Sequence, residues 1–331
     1  MIEGLRKPVG FHQKSKIVVI GSGNVGEAIA YTLMVRKQAN DIVLIDVNEP
    51  KAKAAALDIA HGTGFYRQVW VRTGSYEECK DAQLIIITAG IGRKPGQTRL
   101  ELGQVNVAIA RDIARNIMKY NDNPLIVVVS NPADVVTAAV LEETGLRRGQ
   151  VIGSGTSLDT ARFRYFISEA IHVDVEDVKA YILGEHGDSQ VAIWSNVTIA
   201  GIPLDVYEEQ AGIKINREEI TALTKTSGAD IIKGKGATFY GVAMAVSNIT
   251  ERIMNDQQGV VPVAHLMGAR YGKWANVCFS MPCIIGSDGI EKTFNIPLTP
   301  EEEEALDKSV EIIGNMQKEL GIFTNLTGTL E

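Results

Sequence analysis

At 331 residues the chain is too long for one ordinary hydrophobic core and long enough for two domains. A hydrophobic content of 45% with 22% charged residues is typical of a globular protein and excludes a disordered or membrane-embedded chain. The net charge is −7, and the lysines and arginines are scattered along the chain, which argues against a surface for nucleic acid or anionic membranes.

The cysteines and the N-terminal segment indicate the compartment. Cys79, Cys278 and Cys283 are odd in number and lack metal-ligand spacing, which predicts reduced thiols of a cytoplasmic protein. Residues 1–15 contain basic side chains but no apolar run, so we expect a loose N-terminal arm and no secretory signal. No stretch approaches the roughly 18 apolar residues of a membrane span.

The first half of the chain alternates short apolar runs with amphipathic stretches. The runs are rich in Ile, Val and Leu and cover Lys16–Ile20, 42–46, 84–88 and 125–130. Such runs are typical of strands buried on both faces of a parallel sheet. Residues 27–37 and 105–120 between them have helical patterns. This βαβ alternation predicts a doubly wound parallel sheet of the Rossmann type over residues 1–154.

The pattern changes after residue 154. Alternating segments at Val178–Leu183 and 190–200 predict antiparallel strands mixed with helices, and so an α+β domain over residues 155–331. Residues 239–254 form a predicted helix that we expect to pack back onto the first domain. The last helix has a clear start, because Thr299 can cap it, Pro300 suits its first position and Glu302 completes a capping box.

A glycine motif follows the first predicted strand and opens the first predicted helix. It consists of Gly21, Ser22, Gly23, Asn24, Val25 and Gly26. The first glycine permits a tight turn, the second lets the backbone approach a pyrophosphate, and the third lets the helix pack close to its strand. Free N–H groups at the start of the helix would then face the phosphates.

An acidic residue strengthens this interpretation. Asp46 ends the second predicted strand, 20 residues after Gly26, where a carboxylate accepts hydrogen bonds from the ribose hydroxyls of the adenosine. Its negative charge would repel a 2′-phosphate. The strand, the glycines, the helix and the acid together predict a site for NAD rather than NADP.

A histidine lies between glycines in residues 184–188, after the predicted strand Val178–Leu183. A lone histidine is usually a surface or core residue, but Asp159 and Arg162 lie one helical turn apart in the preceding helical segment. A carboxylate can hold the imidazole of His186 in one tautomer and favour its protonated form. An arginine can bind a substrate carboxylate with two hydrogen bonds. These groups could move a proton on or off a hydroxyl while a hydride leaves the same carbon.

At these residues the chain resembles the lactate/malate dehydrogenase family, and the likeness extends from Lys16 to Leu320. The matching motifs occur in family order and spacing at residues 21–26, 90–99, 130–132, 154–164, 184–188 and 235–238. The resemblance implies an NAD-dependent L-2-hydroxy acid dehydrogenase with a Rossmann domain and a substrate domain. It also implies a homotetramer, with a dimer as the alternative, and no metal.

The resemblance implies a role for each matching residue. His186 is the proton donor and acceptor, and Asp159 orients it. Arg162 binds the C1 carboxylate of the substrate. Arg99, on a loop that closes over the site, polarises the substrate carbonyl. Asn131 bonds the substrate and holds the nicotinamide end of the cofactor.

Two positions bear on the choice of substrate. The family residue that meets the variable end of the substrate is usually Gln in lactate enzymes and Arg in malate enzymes, and Arg93 occupies it here. Thr238, which lines the substrate pocket, belongs to a lactate-like stretch at 237–241. The chain therefore resembles a lactate dehydrogenase with a malate-type arginine, and pyruvate and oxaloacetate both stay open as substrates.

Activation by fructose 1,6-bisphosphate is a further family property. Many bacterial relatives bind this activator with an arginine and a histidine at a subunit interface. Arg164 keeps the first residue, whereas Lys179 replaces the second. Lysine can still attract phosphate, so the substitution weakens this prediction without removing it.

Two alternatives belong to other classes of protein. A non-catalytic NAD-binding sensor would keep residues 21–26 and Asp46, but it would not need His186 together with Asp159, Arg162 and Arg99. A metal-dependent hydrolase would need paired ligands. The histidines that could serve as ligands are far apart in the sequence: His61, His172, His186 and His265.

Overall fold

Parallel strands form the centre of the fold in a computed structural model of the chain, which describes residues 15–66, 69–92 and 96–323. They are β1 (Lys16–Ile20), β2 (Asp41–Ile45), β3 (Trp70–Thr73), β4 (Leu84–Ile87), β5 (Ile126–Val128) and β6 (Val151–Gly153). Their order in the sheet is β3-β2-β1-β4-β5-β6, and every neighbouring pair is parallel. This is the strand order of a dinucleotide-binding Rossmann sheet, as predicted.

Helices cover both faces of this sheet because its strands are apolar on both sides. The helices of the first half are α1 (Asn24–Val35), α2 (Glu49–Gly62), α3 (Arg99–Met118) and α4 (Ala133–Thr144). Successive side chains of a strand point to opposite faces. Ile17 of β1 therefore packs with Ile29 and Leu33 of α1, whereas its neighbour Val18 packs with Ile113 of α3.

The predicted elements differ from the observed ones mainly at their ends. The predicted strand at 42–46 begins and ends one residue earlier. The helix predicted at 105–120 begins six residues earlier, at Arg99, because Thr98 and Glu101 form a capping box there. In this half of the chain, the strands β3 and β6 and the helices α2 and α4 carry no prediction at all.

The second half contains antiparallel strands and helices, as predicted. Its elements are α5 (Ser157–Ile171), β7 (Val178–Leu183), β8 (Val191–Ile199), β9 (Ile202–Pro203), α6 (Leu204–Ala211), α7 (Arg217–Lys235), α8 (Tyr240–Met254), β10 (Gly259–Leu266), β11 (Cys278–Gly286), β12 (Gly289–Thr293) and α9 (Pro300–Glu319). The strands β7, β8 and β9 form a separate antiparallel sheet. The capping box of α9 forms between Thr299 and Glu302 with Pro300 at the first position, which confirms the predicted start.

The remaining strands, β10, β11 and β12, extend the parallel sheet. Within the described residues the sheet has nine strands in the order β12-β11-β10-β6-β5-β4-β1-β2-β3. β10 runs antiparallel to β6, with Ala264 opposite Gly153. Gly155 allows this close approach, because a Cβ at that position would lie 2.7 Å from the backbone nitrogen of Ala264. The two halves of the chain therefore share one sheet.

Helix α8 also joins the two halves. Its Val246 and Ile249 lie in the same apolar cluster as Ile29 of α1. The side chain of Gln38 donates a hydrogen bond to the carbonyl of Ser247, at 2.9 Å. The prediction that this helix packs onto the first domain is confirmed. Across residues 15–66, 69–92 and 96–323, none of the helices combines the length and the apolar character that crossing a bilayer requires.

Candidate active site

The histidine loop, residues 184–188, begins directly after β7. Gly184 has a positive φ of 87°, which favours glycine and turns the chain out of the strand. Its backbone pairs with Ser280 of β11, with the amide of Gly184 donating to the Ser280 carbonyl at 3.1 Å. The loop is therefore held between β11 and the elements that carry the other candidate residues.

The histidine contacts the predicted carboxylate. Nδ1 of His186 lies 2.5 Å from Oδ2 of Asp159, and Oδ1 of Asp159 accepts a hydrogen bond from Arg162 at 2.9 Å. Asp159 and Arg162 share one face of α5, one turn apart, as the spacing indicated. The Asp159 side chain is 5% exposed, whereas that of His186 is 25% exposed. The buried Asp159 thus holds Nδ1 of the imidazole, and another part of the ring is exposed to solvent.

The electrostatics of this pair favour a protonated imidazole. The negative charge of Asp159 raises the pKa of His186 above its ordinary value, against the opposing effect of burial. Burial alone would raise the pKa of Asp159, but the charges of His186 and Arg162 keep it below its ordinary value. A carboxylate that stays ionised beside an imidazole favours a proton-transferring histidine.

Arg99 reaches the same loop from the start of α3. Its guanidinium forms ion pairs with Glu185 and with Asp188, the latter at 3.0 Å. Glu185 is almost completely buried, and its other carboxylate oxygen accepts hydrogen bonds from Ser189. The structure therefore places the four predicted side chains of Arg99, Asp159, Arg162 and His186 around one loop.

The glycine motif has the geometry of a phosphate-binding turn. Gly21 has a φ of 109°, and a Cβ at Gly26 would lie 1.8 Å from the carbonyl oxygen of Gly21, so both close approaches need glycine. A Cβ at Gly23, in contrast, would meet nothing within 4 Å. Open space at this glycine is what a bound pyrophosphate requires.

The start of α1 offers free donors beside that space. Gly23 caps the helix without a side chain, and the first helical bond runs from the amide of Glu27 to the carbonyl of Gly23 at 2.9 Å. The amides of Asn24 and Val25 consequently have no acceptor within the helix. Donors at a helix N-terminus next to open space fit the phosphates of a dinucleotide.

Asp46, the residue predicted to bind the ribose of the adenosine, lies beside the glycine motif. It follows β2, is partly exposed, and accepts hydrogen bonds from the amides of Ser22 at 2.5 Å and Asn48 at 2.8 Å. These amides fix the carboxylate next to the glycine motif. The residues present therefore fit NAD, with a negative charge opposing the 2′-phosphate of NADP.

Asn131 follows β5 at the carboxyl edge of the sheet and precedes a cis peptide bond to Pro132. Asn131 is exposed, and its backbone carbonyl accepts a hydrogen bond from the side-chain amide of Asn106 at 2.6 Å. The same Asn106 bonds both backbone groups of Ile91. Asn106 thus ties the Asn131 segment to the beginning of the 90–99 loop.

Other predicted residues are less closely placed. Thr238 lies in the partly buried connection between α7 and α8, two helices that pack on α5, and no hydrogen bond or ion pair links it to the histidine loop in the described structure. Arg93 lies outside the described residues. Arg164 donates to the carbonyl of Ala180 at 3.0 Å, and Lys179 to that of Glu176 at 2.6 Å.

The sequence analysis missed three buried polar residues near the site: Asn106, Asp134 and Glu185. Asp134 accepts a hydrogen bond from the backbone amide of His186 at 2.8 Å. A polar residue on the apolar face of an amphipathic helix, such as Asn106, is a signal that could have found one of them. Over the parts of the chain that the structure describes, no group of three or more His, Cys, Asp or Glu side chains is arranged to hold a metal ion.

Comparisons with known proteins agree with this geometry. The family profile for the lactate/malate dehydrogenase NAD binding domain matches residues 15–153, and that for the alpha/beta C-terminal domain matches residues 156–321. An L-lactate dehydrogenase of Acetivibrio thermocellus is 43% identical over 92% of this chain and 96% of its own length. One of Nitratidesulfovibrio vulgaris is 42% identical over 91% of this chain and 98% of its own length.

Solved structures give the same answer. A lactate dehydrogenase from a Medee basin deep-sea metagenome library superposes with a TM-score of 0.90 at 37% identity, covering 93% of this chain and 99% of that one. The ligand-bound minor L-lactate dehydrogenase of Enterococcus mundtii has a TM-score of 0.88 at 38% identity, covering 92% and 98%. With its Rossmann strand order, its dinucleotide turn and the grouping around His186, the chain belongs to the lactate/malate dehydrogenase family, and its cofactor is NAD.

Proposed function

We propose that this chain is an L-lactate dehydrogenase that reduces a 2-oxo acid to an L-2-hydroxy acid, reversibly, with His186 as the proton donor. The observation that carries the proposal is the contact of 2.5 Å between His186 and the buried Asp159, with Arg162 on the same carboxylate and Arg99 on the same loop. The names of the relatives support lactate as the product.

Each residue then has one task. Arg162 is 14% exposed and holds Asp159 through one nitrogen, which leaves guanidinium donors for the C1 carboxylate of the substrate. Arg99, which pairs with Glu185 and Asp188 in this structure, would stabilise the developing negative charge of the substrate oxygen once substrate is bound, and His186 would give that oxygen its proton. Bound NADH supplies the hydride. Asn131 orients the substrate and the nicotinamide, and Thr238 lines the pocket.

The cofactor contacts follow from the geometry of the turn. The backbone of Gly21, Gly23 and Gly26, with the amides of Asn24 and Val25, would hold the pyrophosphate. Asp46 would accept hydrogen bonds from the ribose. We place the boundary between the NAD-binding and substrate domains after residue 154, one residue past the end of β6 and ahead of α5.

We further propose that Arg93 favours oxaloacetate beside pyruvate. In a closed pocket a guanidinium that faces the methyl group of pyruvate would be desolvated and unpaired, which is costly. Oxaloacetate offers it a carboxylate, and a charged hydrogen bond contributes about 1.5–3 kcal/mol. One or two such bonds correspond to about 10–10⁴ in kcat/KM.

A comparison of pyruvate and oxaloacetate as substrates with NADH tests both proposals. We expect ready reduction of oxaloacetate and measurable reduction of pyruvate, and Arg93→Gln should shift the preference toward pyruvate. The matched control is Lys94→Gln, which removes the neighbouring positive charge and should leave the preference unchanged. An unmodified enzyme that reduces pyruvate well and ignores oxaloacetate would show that Arg93 does not face the substrate.

We also propose a cytoplasmic homotetramer, with a dimer as the alternative. The three cysteines are free and buried, which is typical of proteins from a reducing compartment. Large apolar side chains are about half exposed or more on helices of both halves: Leu57, Tyr165, Tyr240 and Met244. Tyr240 and Met244 lie one turn apart on α8, and exposed apolar side chains that adjoin in this way mark protein–protein interfaces. Light scattering should give four times the mass of the chain, and the mass of one chain would contradict the proposal.

A further inference from the structure

A buried carboxylate near the histidine has no task in the proposed reaction. Asp134 is the second residue of α4 and is 1% exposed. Its Oδ2 accepts a hydrogen bond from the backbone amide of His186 at 2.8 Å. Its Oδ1 is buried and has no hydrogen-bond partner among the residues that the structure describes. Such an atom in a native protein calls for a physical explanation.

The hydrogen bond alone does not explain an acid at this position. The two preceding amides of the histidine loop donate to neutral oxygens: Gly184 to the Ser280 carbonyl at 3.1 Å and Glu185 to the Ser309 hydroxyl at 2.9 Å. A hydroxyl could serve the His186 amide equally well. A buried carboxylate costs far more desolvation than a hydroxyl, so its charge needs a compensating role.

The surroundings of Asp134 indicate what that role is. The titratable groups that act on it are His186 and Glu185 from the histidine loop and Asp159 from α5, and Asp134 itself acts on Cys278 of β11. Burial raises the pKa of the Cys278 thiol well above its ordinary value, so this group stays neutral. His186 is therefore the one group of this set that can become positive beside Asp134.

The charges of the two groups also influence each other. Burial raises the pKa of Asp134 to about 7, and the amide and the charge of His186 oppose this rise. In return, Asp134 adds to the effect of Asp159 in raising the pKa of His186. Groups that interact in this way take up protons as a coupled pair.

We propose that Asp134 is a positioning residue for the proton transfer: it fixes the main chain of His186 and places a second buried negative charge near the imidazole that Asp159 already holds. The inference rests on the proposed role of His186 as the proton donor. Asp134 lies three residues after Asn131, at the start of α4, the helix that follows Asn131. The first turn of α4 therefore connects the Asn131 segment to the histidine loop.

The test is Asp134→Asn, which keeps an oxygen for the His186 amide and removes the charge. Reduction of a 2-oxo acid needs the protonated imidazole, so its kcat/KM falls as the pH rises through the pKa of His186. Without the second charge this fall should begin at lower pH. At a fixed pH above the pKa of His186, kcat/KM of the variant should be about three- to tenfold lower than that of the unmodified enzyme. NADH binding should stay unchanged.

The matched control is Ser309→Ala, which removes the acceptor of the neighbouring amide without changing any charge. It should keep the pH profile of the unmodified enzyme even if its kcat is lower. Equal shifts in both variants would reduce Asp134 to a structural acceptor and overturn the proposal. Asp134→Ser is a second charge-free variant, and it should shift the profile in the same direction.

An NMR titration of the His186 ring, assigned with His186→Gln, reads the same group without turnover. We expect a lower pKa of His186 in Asp134→Asn. An unchanged titration of His186 would overturn the inference whatever the activity. An inactive unmodified protein in which Asp134→Asn still lowers this pKa would refute the proposed function and leave the electrostatic coupling established.

Discussion

Replacing Asp159 by asparagine removes a charge from the centre of the site with almost no change in shape. The carboxylate has two partners, Nδ1 of His186 at 2.5 Å and the guanidinium of Arg162 at 2.9 Å. The guanidinium of Arg162 can only donate hydrogen bonds, and a protonated Nδ1 of His186 donates as well, so both partners need an oxygen acceptor. Asparagine has one oxygen, so its NH₂ group must face one of these two partners. At least one charged hydrogen bond is lost.

The size of the effect follows from that loss. A charged hydrogen bond contributes about 1.5–3 kcal/mol, which corresponds to a decrease of about 10- to 150-fold in kcat. His186→Gln should be more severe, at about 10²–10⁴ in kcat, because the proton donor itself is absent. The kcat should therefore decrease from the unmodified enzyme to Asp159→Asn and decrease further in His186→Gln.

The assay follows NADH absorbance with pyruvate across a range of pH, and NADH binding by fluorescence serves as the control. Asp159 raises the pKa of His186, so its loss lowers that pKa. The decline of 2-oxo acid reduction at high pH should then begin at lower pH in Asp159→Asn. Near-normal turnover of His186→Gln would refute this reasoning, since the proton would come from elsewhere.

Three further predictions concern the cofactor, the loop and stability. The unmodified protein should strongly prefer NADH to NADPH, and Asp46→Ala should narrow the gap chiefly through KM; equal use of both cofactors would contradict this. Residues 90–99 should be mobile without substrate and ordered with a substrate analogue, and Arg99→Gln should lower kcat far more than NADH affinity; a loop that exchanges hydrogen equally in both states would argue against closure. Burial raises the pKa of Asp134 to about 7 in the folded state, above the ordinary carboxyl value near 4. The unmodified protein should therefore lose about a few kcal/mol of stability as the pH rises from about 4 to 7. Thermal unfolding at pH 5 and pH 8 should show a smaller loss in Asp134→Asn, and equal losses would mean that Asp134 stays ionised throughout.

Local patterns were enough to predict the Rossmann type of the first half and the start of the last helix. In the run Lys16–Ile20, every residue after the lysine is apolar because both faces of the strand are covered, and five residues are enough to show this pattern. The capping box of Thr299 and Glu302 is likewise contained within four residues. Structure that depends on residues near one another in the sequence can be predicted from short sequence patterns.

The pairing of β10 with β6 could not be predicted in this way. It brings Ala264 to Gly153 across more than a hundred residues, and neither strand has an alternating pattern that would identify its neighbour. Asp134 and Glu185 were missed for a related reason. Each is a single acid whose partner, the His186 amide or Arg99, lies on another element.

The shared sheet limits how this protein can move. A hinge between the two halves would have to break the β6–β10 pairing and separate the apolar contacts between α8 and α1. Many two-domain enzymes enclose their substrate by swinging one domain onto the other. Because the two halves share this sheet, we expect loops at its edge, rather than a swing of one half, to enclose the substrate. The predicted closure of residues 90–99 would then cost the entropy of only about ten residues and would leave the hydrophobic core undisturbed.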